Sequence, residues 1–259
     1  HCVEVIRSAY SKILETGTPF LVLDVPTAEL VKVAANSFLA TKISFINAMA
    51  EVAEVSGADV VALANAIGYD ERIGNKFLRS GVGFGGGCLP KDIRGCVARA
   101  EELGVGSAVE FLKNVDAINL RRRQRVIELA KQQLGEVSGK SVLLLGISFK
   151  PDSDDLRDSP ALDIAENLFG QGAKVYVHDP VAIQAMSLRN PGLIGVTDLE
   201  SAFEAADLVI LGTEWKQYKE LDPSKLKART KTIIDGRNVL DVAKWQAAGW
   251  KVIALGRNL

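Results

Sequence analysis

Cysteine, histidine and surplus charge are all scarce in this sequence. Three cysteines in 259 residues leave no disulfide framework and point to a reducing, cytoplasmic setting. The two histidines, His1 and His178, have no cysteine or carboxylate neighbours at metal-ligand spacing, so no metal site is expected. A formal net charge of −1 gives bulk electrostatics no hold on nucleic acid or on an anionic membrane surface. No apolar run reaches the roughly 18 residues of a membrane span, and no signal peptide is visible. Internal repeats and low-complexity segments are missing as well. The one basic run, Arg121, Arg122, Arg123 and Arg125, lies in a helical pattern and reads as a solvated or salt-bridged face. There is no initiator methionine: His1-Cys2 opens in the middle of a helix-like pattern, as the interior of a longer protein would, with a processed or tag-derived terminus as the alternative.

What is present describes a soluble globular protein, 47% hydrophobic and 24% charged, long enough for one large or two ordinary domains. Val3 to Leu14 has helical spacing and is broken at Gly17-Thr18-Pro19. Phe20 to Val25 is a short, strand-like apolar run. Pro26-Thr27 then opens a long helix to about Val55, stopped at Gly57. On it Leu30, Ala34, Phe38, Phe45, Met49 and Val52 make an apolar stripe wide enough for a helix buried on much of its circumference. Further helices are expected from Asp59 to Ile67, from Asp92 to Leu103, and from a capping box at Ser107 and Glu110 to about Leu134. The last would be about 40 Å long, a length that links domains. After Gly139 the pattern changes. Apolar runs at Ser141 to Ile147, Lys174 to Val177, Asp207 to Leu211, Thr232 to Ile234 and Lys251 to Ala254 read as buried parallel strands. Helical segments near Ala161 to Phe169, Leu199 to Ala205 and Asp241 to Ala248 separate most of them. The expected architecture is an all-α half followed by a doubly wound, parallel α/β half.

The densest chemistry is VGFGGGCLPKD, Val82 to Asp92. Four glycines let the backbone approach a ligand closely. Pro90 can open a helix and Asp92 adds a carboxylate to its first turn. Cys88 then lies at a helix N-terminus with Lys91 nearby, features that favour the nucleophilic thiolate. A glycine-rich turn around an inert cysteine is the other reading. Lys32 and Asn36, four apart on the long helix, share a face; they either snorkel at its edge or need partners. Cys96 reads as core and Cys2 is uninformative. The first α/β strand runs into Gly146-Ile147-Ser148-Phe149-Lys150, which lacks the GxGxxG spacing of a dinucleotide cradle. Lys150, Asp152, Asp154, Asp155, Arg157 and Asp158 follow as a mixed-charge loop. It is either a solvated acidic loop or one whose Lys150 and Arg157 reach a phosphate or carboxylate.

Several ordered motifs together resemble the UDP-glucose/GDP-mannose dehydrogenase family. They are ELVKVAANSFLATKISFINAMAE (Glu29 to Glu51), RIG (Arg72 to Gly74), GVGFGGGCLPKD, GISFKPDSDDLRDSP (Gly146 to Pro160), HDP (His178 to Pro180), TEW (Thr213 to Trp215) and DGRNVLD (Asp235 to Asp241). The resemblance implies a remnant of an NAD-binding domain over 1–25, a central helical dimerisation domain over 26–135, and a Rossmann-like UDP-binding domain over 136–259. It implies NAD as cofactor, its main binding domain absent from this chain. The implied reaction is the four-electron oxidation of UDP-glucose to UDP-glucuronate, a step of polysaccharide biosynthesis. Cys88 matches the nucleophile, forming a thiohemiacetal and then a thioester. Lys32 and Asn36 match residues that stabilise oxyanion charge, Lys32 also moving protons, and Asp92 the carboxylate that activates water. Arg79, Ser80, Gly81, Val82, Gly83, Phe84 and Gly85 match the loop that wraps the sugar nucleotide. Lys150 and Arg237 match substrate-site residues, Arg157 one that reaches NAD, and Arg72 an arginine supplied across a homodimer built on the central helices. Gly87 departs from the pattern, since many members have serine there. GDP-mannose dehydrogenases share the GGxCLPKD segment, while Arg72-Ile73-Gly74 favours the UDP-glucose branch. A non-catalytic sugar-nucleotide-binding or dimerisation module is the reading from another class.

Overall fold

The computed structural model describes every residue from His1 to Leu259. It divides into two compact units, His1–Ala35 and Asn36–Leu259. In the first, α1 (Cys2–Ala9) and α2 (Ser11–Leu14) are separated by a break at Tyr10. Arg7 lies over the ring of Phe20, 4.5 Å from its centroid. The strand-like run from Phe20 forms no ladder, because an isolated strand has no partner for its backbone groups; the first strand starts at Ser141. α3 (Val25–Ser56) starts where Asp24 accepts the amide of Thr27 at 3.0 Å.

The larger unit begins with the rest of α3, then α4 (Val60–Gly68), α5 (Leu89–Glu102) and α6 (Phe111–Leu134). Asp59 caps α4, accepting from Val61 N at 2.7 Å. The capping box expected at Ser107 does not form. Gly106–Val109 is a 3₁₀ turn instead, and α6 starts after it with no side-chain cap. α3 buries the side opposite to the one its large residues suggest. Ser37, Ala40, Ser44, Ile46, Asn47, Ala50 and Ala53 face the interior, where small side chains let α5 and α6 come close. Phe38, Phe45 and Val52, seven apart, remain 66%, 49% and 53% exposed. The arginine run of α6 is salt-bridged, but only half of it is solvated. Arg122 is fully enclosed with Nη2 3.1 Å from Glu54, and Arg123 is buried with Nη2 2.9 Å from Asp158. Neighbouring positions on a helix point to different sides, and α6 has neighbours on several of them.

The remaining elements are β1 (Ser141–Leu145), α7 (Pro160–Gly170), β2 (Lys174–His178), α8 (Ile183–Arg189), β3 (Ile194–Gly195), α9 (Leu199–Ala205), β4 (Leu208–Leu211), α10 (Lys216–Lys219), β5 (Thr232–Asp235), α11 (Val242–Ala247) and β6 (Lys251–Ala254). The expected parallel strands are all present, and β3, too short to show as a run, adds an edge. The six strands pair in the order β3-β2-β1-β4-β5-β6, all parallel. This is the order of doubly wound dinucleotide-binding sheets. Alternate strand residues serve opposite cores. Val142, Leu144, Val175, Val177 and Ile210 pack under α6, α7 and α8. Leu143, Leu145, Val209, Leu211 and Ile233 face Phe203, Tyr218, Trp245 and Trp250. α6 serves both halves: Leu112 and Val115 pack with α3 and α5, while Val126, Ile127 and Ala130 pack on the sheet. No helix is long and apolar enough to cross a membrane.

Candidate active site

The glycine loop between α4 and α5 is held by buried amides. Asn47 Oδ1 accepts Gly81 N at 2.9 Å, and Asn119 grips Phe84 from both sides, Oδ1 accepting its N–H at 2.7 Å and Nδ2 donating to its carbonyl at 3.0 Å. Both asparagines are wholly buried. The loop is also tied to the sheet, Val82 N donating to Gly236 O at 2.9 Å and Gly86 N to Arg157 O at 2.8 Å. Gly83 has φ +93°, and a Cβ there would collide with Asn119 Oδ1, so this turn has room only for glycine. The two asparagines were not singled out from the sequence. Their signal is a polar residue inside the apolar spacing of a long helix, where burial demands partners.

Against this loop the carboxyl ends of β1, β4 and β5 enclose a cavity of about 640 Å³, lined by Arg79, Ser80, Gly81, Gly83, Phe84, Gly85, Lys150, Glu214 and Arg237 among others. The expected substrate residues are thus brought together from segments far apart in the chain, at the edge of the sheet where ligands bind in such folds. Val82 and Arg72 are the exceptions, and the Val82 side chain is buried in the sheet core. Arg237 is mostly buried. It donates Nε to Gly212 O at 2.7 Å and Nη1 to Gly83 O at 3.1 Å, with Glu214 Oε2 at 3.3 Å from Nε. Burial pulls its guanidinium below the usual value, opposed by the charges of Glu214 and Asp235. Asp235 is buried and folds the turn beneath it, accepting the amides of Arg237, Val239 and Leu240 at 3.0, 2.9 and 2.8 Å. Burial raises its carboxyl pKa, though those hydrogen bonds oppose the shift. Glu214 was named only as part of a motif; here it is the one carboxylate in a wall that also holds Lys76, Arg79, Lys150 and Arg237.

Cys88 is exposed and occupies the N-cap position of α5, and Leu89 after it lines the cavity. In the first turn, buried Asp92 accepts Asn36 Nδ2 at 2.6 Å and has Lys91 Nζ 3.8 Å from its other oxygen. Lys32 lies one turn earlier on α3, in the smaller unit. Arg157 packs its guanidinium over Gly87 and is paired with Asp155, Nη2 to Oδ2 2.7 Å. Arg72 does not line the cavity; its side chain is 89% exposed and forked onto Asp70. Cys96 is half-buried against the cluster around Phe84 and Ile93.

The turn after β1 explains why a sheet of dinucleotide-binding order lacks a dinucleotide cradle. Buried Asp179, at the end of β2, sets Oδ2 against Ile147 N at 2.8 Å, Ser148 N at 3.2 Å and Trp215 Nε1 at 3.3 Å. Its other oxygen takes the amides of Val181 and Ala182. A fixed carboxylate thus fills the place where free amides would meet a pyrophosphate. Beside it His178 Nδ1 lies 2.8 Å from Tyr218 Oη. Burial lowers the His178 pKa, against the charge of Asp179.

Comparison with known proteins agrees with this geometry. The chain is 39% identical over 242 residues to the UDP-glucose 6-dehydrogenase TuaD of Bacillus subtilis, covering 92% of this chain and 52% of that protein. It is 37% identical to the UDP-glucose 6-dehydrogenase of Pseudomonas aeruginosa, covering 98% and 58%. A solved UDP-glucose dehydrogenase from Pyrobaculum islandicum superposes with a TM-score of 0.86 at 34% identity, over 98% of this chain and 56% of that one. The chain therefore spans little more than half the length of the relatives it matches. Two family models fit in succession, the central domain over residues 26–121 and the UDP binding domain over residues 143–242. Between them they account for the glycine loop, Cys88 and the cavity wall, and the chain belongs to the UDP-glucose/GDP-mannose dehydrogenase family.

Proposed function

We propose that this chain is the substrate-binding and thiol-bearing part of an NAD-dependent UDP-glucose 6-dehydrogenase, which oxidises C6 of the sugar by four electrons to UDP-glucuronate. The carrying observation is the single cavity that gathers the Arg79–Gly85 loop, Lys150 and Arg237 beside the start of α5. Four cationic side chains against one carboxylate suit a diphosphate, and backbone exposed by glycines suits close contact with a sugar nucleotide. The domain reading that goes with it places a remnant of the NAD-binding domain at 1–25, the dimerisation and catalytic domain at 26–135 and the UDP-binding domain at 136–259.

The turn after β1 offers NAD no pyrophosphate cradle, because Asp179 already occupies its amides. The hydride acceptor is held by parts of the whole protein outside these residues. What this chain supplies is the sulfur chemistry. The Cys88 thiolate adds to the C6 aldehyde, forming a C–S bond while the carbonyl oxygen takes a proton. Once this carbon is at the thioester level, water attacks, the C–S bond breaks, and the thiolate leaves with the electron pair as the carboxylate forms. Asp92, held by Asn36, accepts a proton from that water, and Lys32 and Asn36 stabilise the oxyanions. A homodimer covers the exposed Phe38, Phe45 and Val52 face of α3, with Arg72 offered to the partner's site.

Titration calorimetry with UDP, UDP-glucose and GDP-mannose tests the reading, joined to an NADH absorbance assay. UDP-glucose binds, GDP-mannose does not compete, and the chain alone turns nothing over. Preference for GDP-mannose would make it the sister enzyme. Failure to bind UDP at millimolar concentration would remove the cavity as the nucleotide site.

A further inference from the structure

Gly87 is where the sequence departs from its family, and the structure gives that departure a consequence. A Cβ at position 87 would stand 2.7 Å from both Cζ and Nη1 of Arg157 and 3.0 Å from Nη2. No side chain fits there while Arg157 keeps its place. The arginine is not loosely placed. Asp155 takes Nε through both of its oxygens, each at 3.0 Å, and Nη2 at 2.7 Å. The Arg157 amide also donates to Asp155 Oδ1 at 2.9 Å. This fork occupies one edge of the guanidinium and leaves Nη1 out. The ion pair is therefore oriented, its positive end over the residue that precedes Cys88. The electrostatics have the same direction. The pair with Asp155 first, and the charge of Cys88 as a lesser cause, raise the Arg157 pKa.

We propose that Arg157 is a positioning residue for Cys88: seated over Gly87 and tethered by Asp155, its guanidinium sets a fixed positive charge beside the sulfur, and the missing side chain at position 87 admits it. The proposal rests on Cys88 as the nucleophile and deepens that reading. It gives the anionic sulfur, as attacking and as leaving group, a cationic neighbour in addition to the N-terminus of α5. The resemblance gives Arg157 a cofactor contact; the geometry gives it a thiol to serve as well.

The test uses two alkylating reagents on the full chain. Iodoacetate carries a negative charge and iodoacetamide does not, so the ratio of their rates at one cysteine reads the local potential, while the fraction of thiolate cancels. Rates are mapped to individual cysteines by mass spectrometry, with exposed Cys2 as internal reference. Arg157→Gln lowers the iodoacetate-to-iodoacetamide ratio at Cys88 about threefold, the size of effect one neighbouring unit charge has in a water-like dielectric. Gly87→Ser lowers it by a similar factor, because the added side chain displaces the guanidinium. Arg157→Lys retains most of it, and half-molar salt erodes it in the unaltered chain. None of these changes moves the ratio at Cys2. Arg157 is solvent-exposed, so the variants keep their fold, checked by circular dichroism. An unchanged ratio in Arg157→Gln, or a full ratio in Gly87→Ser, overturns the proposal. Labelling needs no nucleotide, so its outcome is separate from whether UDP-glucose binds.

Discussion

Replacing Asn119 with alanine measures how far the glycine loop depends on a single buried amide. In the structure Asn119 Oδ1 is the acceptor for Phe84 N and Nδ2 a donor to Phe84 O, at 2.7 and 3.0 Å. After truncation the Phe84 amide has no acceptor in a fully buried site. Its carbonyl keeps only Arg123 Nη2, at 3.4 Å. An unsatisfied buried backbone group costs about 1–3 kcal/mol. One full loss, one partial loss and a small cavity come to about 2–4 kcal/mol. For a chain of this size that is a fall in Tm of roughly 5–15 °C. Asn119→Asp is no better, because it can accept from Phe84 N but sets an oxygen against Phe84 O. Both variants also loosen the wall of the cavity, so affinity for UDP falls more than tenfold. Urea unfolding and calorimetry are the assays. A loss below about 1 kcal/mol together with unchanged UDP affinity would show that the backbone holds the loop without its amide clamp.

Three further expectations follow from other contacts. Phe45→Glu places a charge on the exposed face of α3; light scattering shows a dimer for the unaltered chain and a monomer for the variant, and a monomer for both removes the dimer proposal. Arg237→Lys keeps the charge but cannot reach Gly212 O and Gly83 O together; UDP affinity falls at least tenfold, and an unchanged affinity would mean that charge alone matters. Arg157, by its hydrogen bonds and charge, holds the Asp155 carboxyl below its usual value against some desolvation. The stability from this pair is therefore complete above the unfolded value near pH 4 and is lost as pH falls through the lower folded value. Asp155→Asn flattens the acid limb of a Tm-against-pH curve, and an identical limb would show that the pair is inert.

How much of this was readable in advance depended on whether the information is local. The α/β alternation was legible because buried parallel strands are continuous apolar runs, and every such run after Gly139 became a strand. Cys88 at the start of α5 was legible because Pro90 and Asp92 mark a helix start on their own. Lys150 and Arg237 could be assigned to one site only through the family resemblance, since nothing in their spacing shows that β1 and β5 end beside the same loop. Asn47 and Asn119 were overlooked because burial is decided by tertiary packing. The stripe on α3 was read as part of a helix buried on much of its circumference, since hydrophobicity marks which side avoids water and not which side its own chain covers. There the small residues met α5 and α6, and Phe38, Phe45 and Val52 stayed exposed.

The proposed site suggests how a fold of dinucleotide-binding order is turned to a different ligand. In such sheets the turn after the first strand is the place of greatest anion affinity, because its amides point outward from the strand ends. Here Asp179 turns inward and takes those amides, so the anion held there is part of the protein. The available surface moves to the neighbouring edge, where Lys150 and Arg237 stand at the ends of β1 and β5. That edge alone is half a site. Its other half is the Arg79–Gly85 loop, brought in by Val82 N on Gly236 O and by Arg237 on Gly83 O. The helix that bears Asn119 fixes the distance between the halves, because α6 packs on the sheet at its end and on α3 and α5 at its start. The proposed nucleotide site and the placement of Cys88 thus share one element, α6. A change in the α6 packing at Val126 or Ile127 should therefore weaken UDP binding and alter Cys88 reactivity together, although neither residue lines the cavity.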